Sequence, residues 1–219
     1  MGKRLVWLVI PAALLAAALG FFFAPAEHPS PAQIESAQAS LGAPNAEPPN
    51  PIVQGARDQL KNPAKYSGRY YKIDYPMGDV PANRGACTDV VIRALRKAGL
   101  DLQEAVQKDA NETLYPRMLV RDTSIDHRRC PNLMLYFSRH GQQFPTDPDS
   151  VRKNIQPGDI VFWKLPGDKD HVGIASNVMT RKGHPFIIHN VGPEVTEADV
   201  LFDWEIVGHF RMDPAKLAQ

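Results

Sequence analysis

Asn83-Arg84-Gly85-Ala86-Cys87-Thr88-Asp89-Val90-Val91-Ile92-Arg93-Ala94-Leu95-Arg96 is a polar loop that becomes an amphipathic helix at a cysteine. Apolar residues recur at 90, 91, 94, 95 and 98, a helical spacing that ends near Gly99. Cys87 therefore starts a helix with one buried face. There the free N–H groups and the positive end of the dipole favour a thiolate, the nucleophilic form of cysteine. The plain alternative is a small buried apolar residue. Which reading holds depends on the bases found elsewhere in the chain.

Outward from that stretch, the first half reads as helices and the second as strands. Residues 52–60 have helical spacing, residues 66–75 read as a strand or an extended approach to the Cys87 loop, and residues 76–81 are turn chemistry. Asp101 caps a helix over 102–111, Tyr115-Pro116 ends it, and Pro131 opens another that runs to Gly141. After Pro157-Gly158 the period changes. Residues 159–163, 171–176, 186–190 and 205–211 read as adjacent antiparallel strands separated by turns. The expected fold class is α+β. N-terminal helices, with Cys87 at a helix start, pack on an antiparallel sheet of about four to five strands.

Strand alternation puts His171, Gly173 and Ala175 on one face, and Ile187 and His189 on one face. If these strands are neighbours, both histidines share a face, expected toward the Cys87 helix. A nucleophile, a base and an orienting group then come together. Cys87 attacks a carbonyl carbon, and His171 takes the thiol proton and returns it to the leaving amine. His189 fixes the His171 tautomer, and the Cys87 N–H stabilises the oxyanion. Asn190 is the rival for the orienting role.

Further polar candidates for substrate binding are Asp89, Asp126, His127, Arg128, Arg129 and Asn190. Arg128 and Arg129 could hold a substrate carboxylate in two-pronged fashion. The competing reading is an internal network that pins a long loop, with Asp89 capping locally; His127 is an alternative base. Arg93 and Arg96 read as a solvated helix face, and His209 as a packed core residue. Cys130 reads as a small buried residue. A Cys87–Cys130 disulfide would remove the nucleophile, but a domain this long builds its own core without one. No His-Glu-x-x-His spacing occurs, so neither a metal nor another cofactor is expected.

The 219 residues are 43% hydrophobic with a formal net charge of +1, which suits one globular domain. This charge argues against a nucleic-acid partner held through phosphates. Met1-Gly2-Lys3-Arg4 and the apolar run over residues 5–24, with small residues at Ala24-Pro25-Ala26, have the form of an export signal. The run is also long enough to remain as a membrane tether. Four segments are expected: a signal peptide or anchor over 1–26, a Pro/Ala-rich linker over 27–51, the folded domain over 52–214 and a tail over 215–219.

Gly158-Asp159-Ile160-Val161-Phe162-Trp163, His171-Val172-Gly173-Ile174 and Ile187-Ile188-His189, preceded by a helix-starting Cys, resemble the NlpC-type branch of the papain-like cysteine peptidases. Tyr75-Pro76-Met77-Gly78-Asp79-Val80, Cys87-Thr88-Asp89-Val90-Val91-Ile92-Arg93, Ile125-Asp126-His127-Arg128-Arg129 and His189-Asn190-Val191-Gly192 are similar to the bacterial domain-of-unknown-function family typified by YijF. The second resemblance covers roughly residues 52–212. Together they imply an exported, periplasmic or cell-envelope cysteine amidase or endopeptidase acting on peptidoglycan stem peptides through Cys87, His171 and His189. Thr88-Asp89 departs from the Ser-Gly that commonly follows such a cysteine, and the 125–129 loop has no counterpart in the wider group. A silent cell-wall binding module on the same fold, or an enzyme acting on a protein or small amide by hydrolysis or acyl transfer, are the competing implications.

Overall fold

The computed structural model describes residues 26–41 and 50–217. Residues 1–25, which carry the expected export signal, lie outside the described residues. The helices are α1 (Pro31–Leu41), α2 (Pro51–Asp58), α3 (Cys87–Lys97), α4 (Leu102–Asp109), α5 (Cys130–His140), α6 (Pro148–Asn154) and α7 (Pro214–Leu217). The strands are β1 (Lys65–Tyr66), β2 (Arg84–Gly85), β3 (Gln142–Gln143), β4 (Ile160–Leu165), β5 (Lys169–Met179), β6 (Pro185–His189), β7 (Thr196–Ala198) and β8 (Glu205–Arg211). A 3-10 turn covers Asp126–Arg128.

Helices and an antiparallel sheet make up the domain. The sheet has six strands in the order β3-β8-β4-β5-β6-β7, and β1 and β2 form a separate parallel pair. Four strands stand where alternation puts them. The two additional ones, β3 and β7, are two and three residues long and sit at the sheet edges. The segment expected to be a linker also contains structure. Ser30 and Gln33 cap α1 reciprocally, Ser30 N–H to Gln33 Oε1 at 2.9 Å and Gln33 N–H to Ser30 Oγ at 3.4 Å. The Gln33 amide donates to the Met179 carbonyl at 2.9 Å, so the helix is tied to β5.

Each face of the sheet carries a core. Val90, Val91, Ala94 and Leu95 of α3 pack with Phe162, Val172, Ile174, Ile188 and Phe210 on one side. Val161, Trp163, Ala175 and Ile187 pack with Val200, Leu201 and Ile206 on the other. The buried Trp163 indole donates to the Leu201 carbonyl at 3.0 Å. His209 is buried, as expected of a core residue, and meets the Asp159 carboxylate at 2.8 Å. Arg211 also holds that carboxylate.

Asp109, near the end of α4, clamps that helix to α5. It accepts from Tyr115 Oη at 2.7 Å and Arg139 Nε at 2.9 Å, with His140 Nε2 at 2.8 Å. Burial pushes its carboxyl up, but these three partners outweigh burial and hold it at about 2. The depressed value stabilises the fold at every pH above the ordinary carboxylate range, and that contribution is lost as pH falls toward 2. Urea unfolding between about pH 5 and pH 2 is expected to lose about 2 kcal/mol that the Asp109→Asn variant does not lose over the same range.

Candidate active site

Cys87 is the first residue of α3, after Ala86 in extended conformation. Asp89 turns back to accept the Ala86 N–H at 2.6 Å, which closes the helix start. The same carboxylate takes Arg128 in a two-pronged pair, Nε to Oδ1 at 2.8 Å and Nη2 to Oδ2 at 2.9 Å. Both side chains are almost fully buried, at 3% and 2% exposure. Thr88 Oγ1 adds a bond to the Arg128 carbonyl at 3.1 Å. The 3-10 turn is thereby fastened against the first turn of α3, and the next helix starts beside it. As a result the Sγ atoms of Cys87 and Cys130 lie 3.9 Å apart, both as free thiols.

The histidines come from neighbouring strands. Gly173 is paired across from His189, and Trp163 across from His171. A Cβ on Gly173 would lie 2.7 Å from Ile187 Cγ2 and 3.1 Å from His189 Cβ. Glycine at that position leaves the space through which the His171 and His189 rings meet, with Nε2 of the first 2.9 Å from Nδ1 of the second. Trp204 covers both rings edge-on, with centroids 5.6 and 6.1 Å away.

The two histidines share a face, but not the one expected. Val172 and Ile174 point to the core beneath α3, whereas His171 and His189 lie with Trp163 and Ile187 on the other side. Their influence on Cys87 is felt at the start of the helix, where His171 and the Val172 N–H favour the charged form of the sulfur. Cys87 is held well below the ordinary thiol range, first by the bond from the Cys130 S–H, then by His171 and the Val172 N–H, against the opposing effect of burial. Cys130 moves the other way. Its bond to Cys87, its burial and the charge on Cys87 hold it protonated.

His189 is neutral. Burial and the neighbouring His171 and His28 lower it to about 3. Its Nδ1 can accept from the Nε2–H of His171, the tautomer in which the other His171 nitrogen is left for the sulfur. The arrangement is a lowered thiol beside a base that a neutral imidazole orients, suited to attack on an electrophilic carbon.

Cys87 and Cys130 open onto a cleft of about 880 Å³, whose other walls include Tyr66, Arg117, Leu119, Arg129 and Asp170. Among the remaining expected site residues, Arg128 and Arg129 border this cleft and the others turn inward. Asp126 is fully buried and accepts from Gln107 Nε2 at 2.9 Å and the Asp122 N–H at 2.7 Å. His127 is buried beside Arg128, and burial first, then that charge, lower it to about 4. Asn190 donates to the carbonyls of Ala64 at 3.1 Å and Gly85 at 3.0 Å, away from His171. Arg93 is engaged rather than solvated, with Nε 2.9 Å from Asp79 Oδ2.

The sequence gives no site role to Gly173, Trp204 or Tyr66, and it offers Cys130 only as a disulfide partner or a small buried residue, not as a free thiol beside Cys87. A glycine inside a strand was the available signal for the first. The other three depend on packing between distant segments. Among the described residues, no group of three His, Cys, Asp or Glu side chains is arranged to hold a metal ion.

Residues 53–212 match a family described as a domain of unknown function (DUF1287), and the chain belongs to that family. It is 45% identical over 165 residues to the uncharacterized protein YijF of Escherichia coli (strain K12), a match that covers 73% of this chain and 80% of that protein.

Proposed function

We propose that this protein is an exported cysteine amidase or endopeptidase of the NlpC-type papain-like class, which hydrolyses amide bonds in peptidoglycan stem peptides. The observation that carries the reading is the Cys87 sulfur at a helix start, held low by its neighbours Cys130 and His171, with neutral His189 behind His171 and an open cleft in front. The thiolate attacks the carbonyl carbon, and the Cys87 N–H, free at the helix start, faces the charge that develops on oxygen. His171 gives its proton to the leaving nitrogen as the C–N bond breaks, leaving a thioester. It then takes a proton from water, whose oxygen displaces the sulfur. Throughout, His189 keeps the His171 ring in the attacking tautomer.

Arg117 and Arg129, which line the cleft together with exposed Leu119, suit a peptide with a free carboxylate and small apolar side chains. The export-type segment at residues 1–26 agrees with a cell-envelope substrate, whether the segment is cleaved or retained as a tether. Among the described residues, no helix is long and apolar enough to cross a membrane.

The test is mass spectrometry of purified muropeptides after incubation with the protein, beside a sample alkylated with iodoacetamide near pH 6. New fragments in the first sample only are expected, and their masses identify the scissile amide. Unchanged muropeptides in both samples overturn the substrate assignment.

A further inference from the structure

The nucleophile has a neighbour that amide hydrolysis does not require. Cys130 begins α5 as Cys87 begins α3, both sulfurs face one cleft, and 3.9 Å separates them. A disulfide needs a sulfur separation of about 2.05 Å, so an approach of about 2 Å converts one state into the other. Each cysteine sits at the end of its helix, where a side chain can turn without breaking the hydrogen-bond ladder. The Asp89–Arg128 pair and the Thr88 bond hold the segment before Cys130 against the α3 start, so the second thiol is poised wherever the first reacts.

We propose that Cys87 and Cys130 form a reversible redox pair, in which a peroxide oxidises the nucleophile and Cys130 closes it into an intramolecular disulfide, protecting Cys87 from permanent oxidation. The proposal rests on the reading of Cys87 as an activated thiolate. In the first step the Cys87 sulfur attacks one peroxide oxygen and the O–O bond breaks. Sulfur is oxidised to a sulfenic acid while the peroxide is reduced to hydroxide. In the second, the Cys130 sulfur attacks the Cys87 sulfur, and its proton leaves with the departing hydroxide as water. An external dithiol returns both cysteines to thiols through a mixed disulfide. The oxidised protein has no free nucleophile, so hydrolysis stops until reduction.

The experiment uses the full-length reduced chain and hydrogen peroxide near equimolar, read by intact mass and maleimide labelling. Wild type is expected to lose about 2 Da and both labelling sites, and to regain both with dithiothreitol. Cys130→Ser is expected instead to gain oxygen at Cys87, with dithiothreitol-irreversible loss of that thiol about tenfold faster than in wild type. Cys130→Ala is likewise expected to gain oxygen and form no disulfide, more slowly than Cys130→Ser because no donor remains beside the Cys87 sulfur. A wild-type chain that over-oxidises as fast as the variants, keeps both thiols free, or links between chains overturns the proposal. Since no substrate is turned over, failure of the peptidoglycan reading leaves this outcome separately legible.

Discussion

Replacing His171 with Gln is expected to slow alkylation of Cys87 near pH 6, because the imidazole is one of the partners that hold the thiol low and less of the sulfur is ionised without it. The wild-type sulfur titrates lower because the Cys130 S–H, His171 and the Val172 N–H all favour its charged form. Removing the imidazole takes away one of these three partners. The rising limb of the alkylation-against-pH curve should move toward higher pH, since the thiolate exists only above the pKa. Amide hydrolysis should fall further, by about 10²–10⁴, as general acid and general base are lost together. Cys87→Ala sets the floor, with no alkylation at this site and no turnover. An unchanged alkylation profile in His171→Gln would mean that the helix start and Cys130 suffice to ionise the sulfur.

Breaking the buried Asp89–Arg128 pair is the second large effect. Arg128→Met leaves a carboxylate at 2% exposure, and Asp89→Asn leaves a guanidinium at 3%. Loss of one partner from such a pair costs about 3–5 kcal/mol, because the remaining charge stays buried without compensation. For a domain of this size that corresponds to a fall of about 10 °C in Tm, measurable by thermal unfolding followed by circular dichroism. The same substitutions loosen the contact that places Cys130 beside Cys87, so the thiol pKa should rise as stability falls. The double replacement Asp89→Asn with Arg128→Met removes both charges and should recover part of the loss. A variant that unfolds at the wild-type temperature would show that the pair is dispensable.

Much of this is legible in the sequence. The α3 pattern and its initial cysteine follow from periodicity, and the pairing of the two histidine strands follows from alternation and short turns. Alternation gives the relative face of two side chains, not which side of the sheet faces a helix, so the expectation that the histidines face α3 fails while their shared face holds. Asp147 and Pro148 mark the start of α6, with Asp147 Oδ1 accepting the Ser150 N–H at 2.9 Å, but its seven residues are too few to show a helical period. The linker reading missed α1 because its composition is poor in large apolar groups, whereas Ser30 and Gln33 stabilise it locally. The inward roles of Asp126, His127 and Asn190 depend on Gln107, Arg128, Ala64 and Gly85, partners that local sequence does not bring together.

Asn190 follows His189 directly, and its amide holds the carbonyl of Gly85, two residues before Cys87. One side chain thus joins the end of the base-bearing strand to the approach of the nucleophile. Thermal opening at the end of β6 must release the loop before α3, and unwinding of that loop must free β6. In amide hydrogen exchange, the segments around residues 85–88 and 187–190 are expected to lose protection together, as one cooperative unit. Replacing Asn190 with Ala would separate their exchange rates even if both strands stay folded.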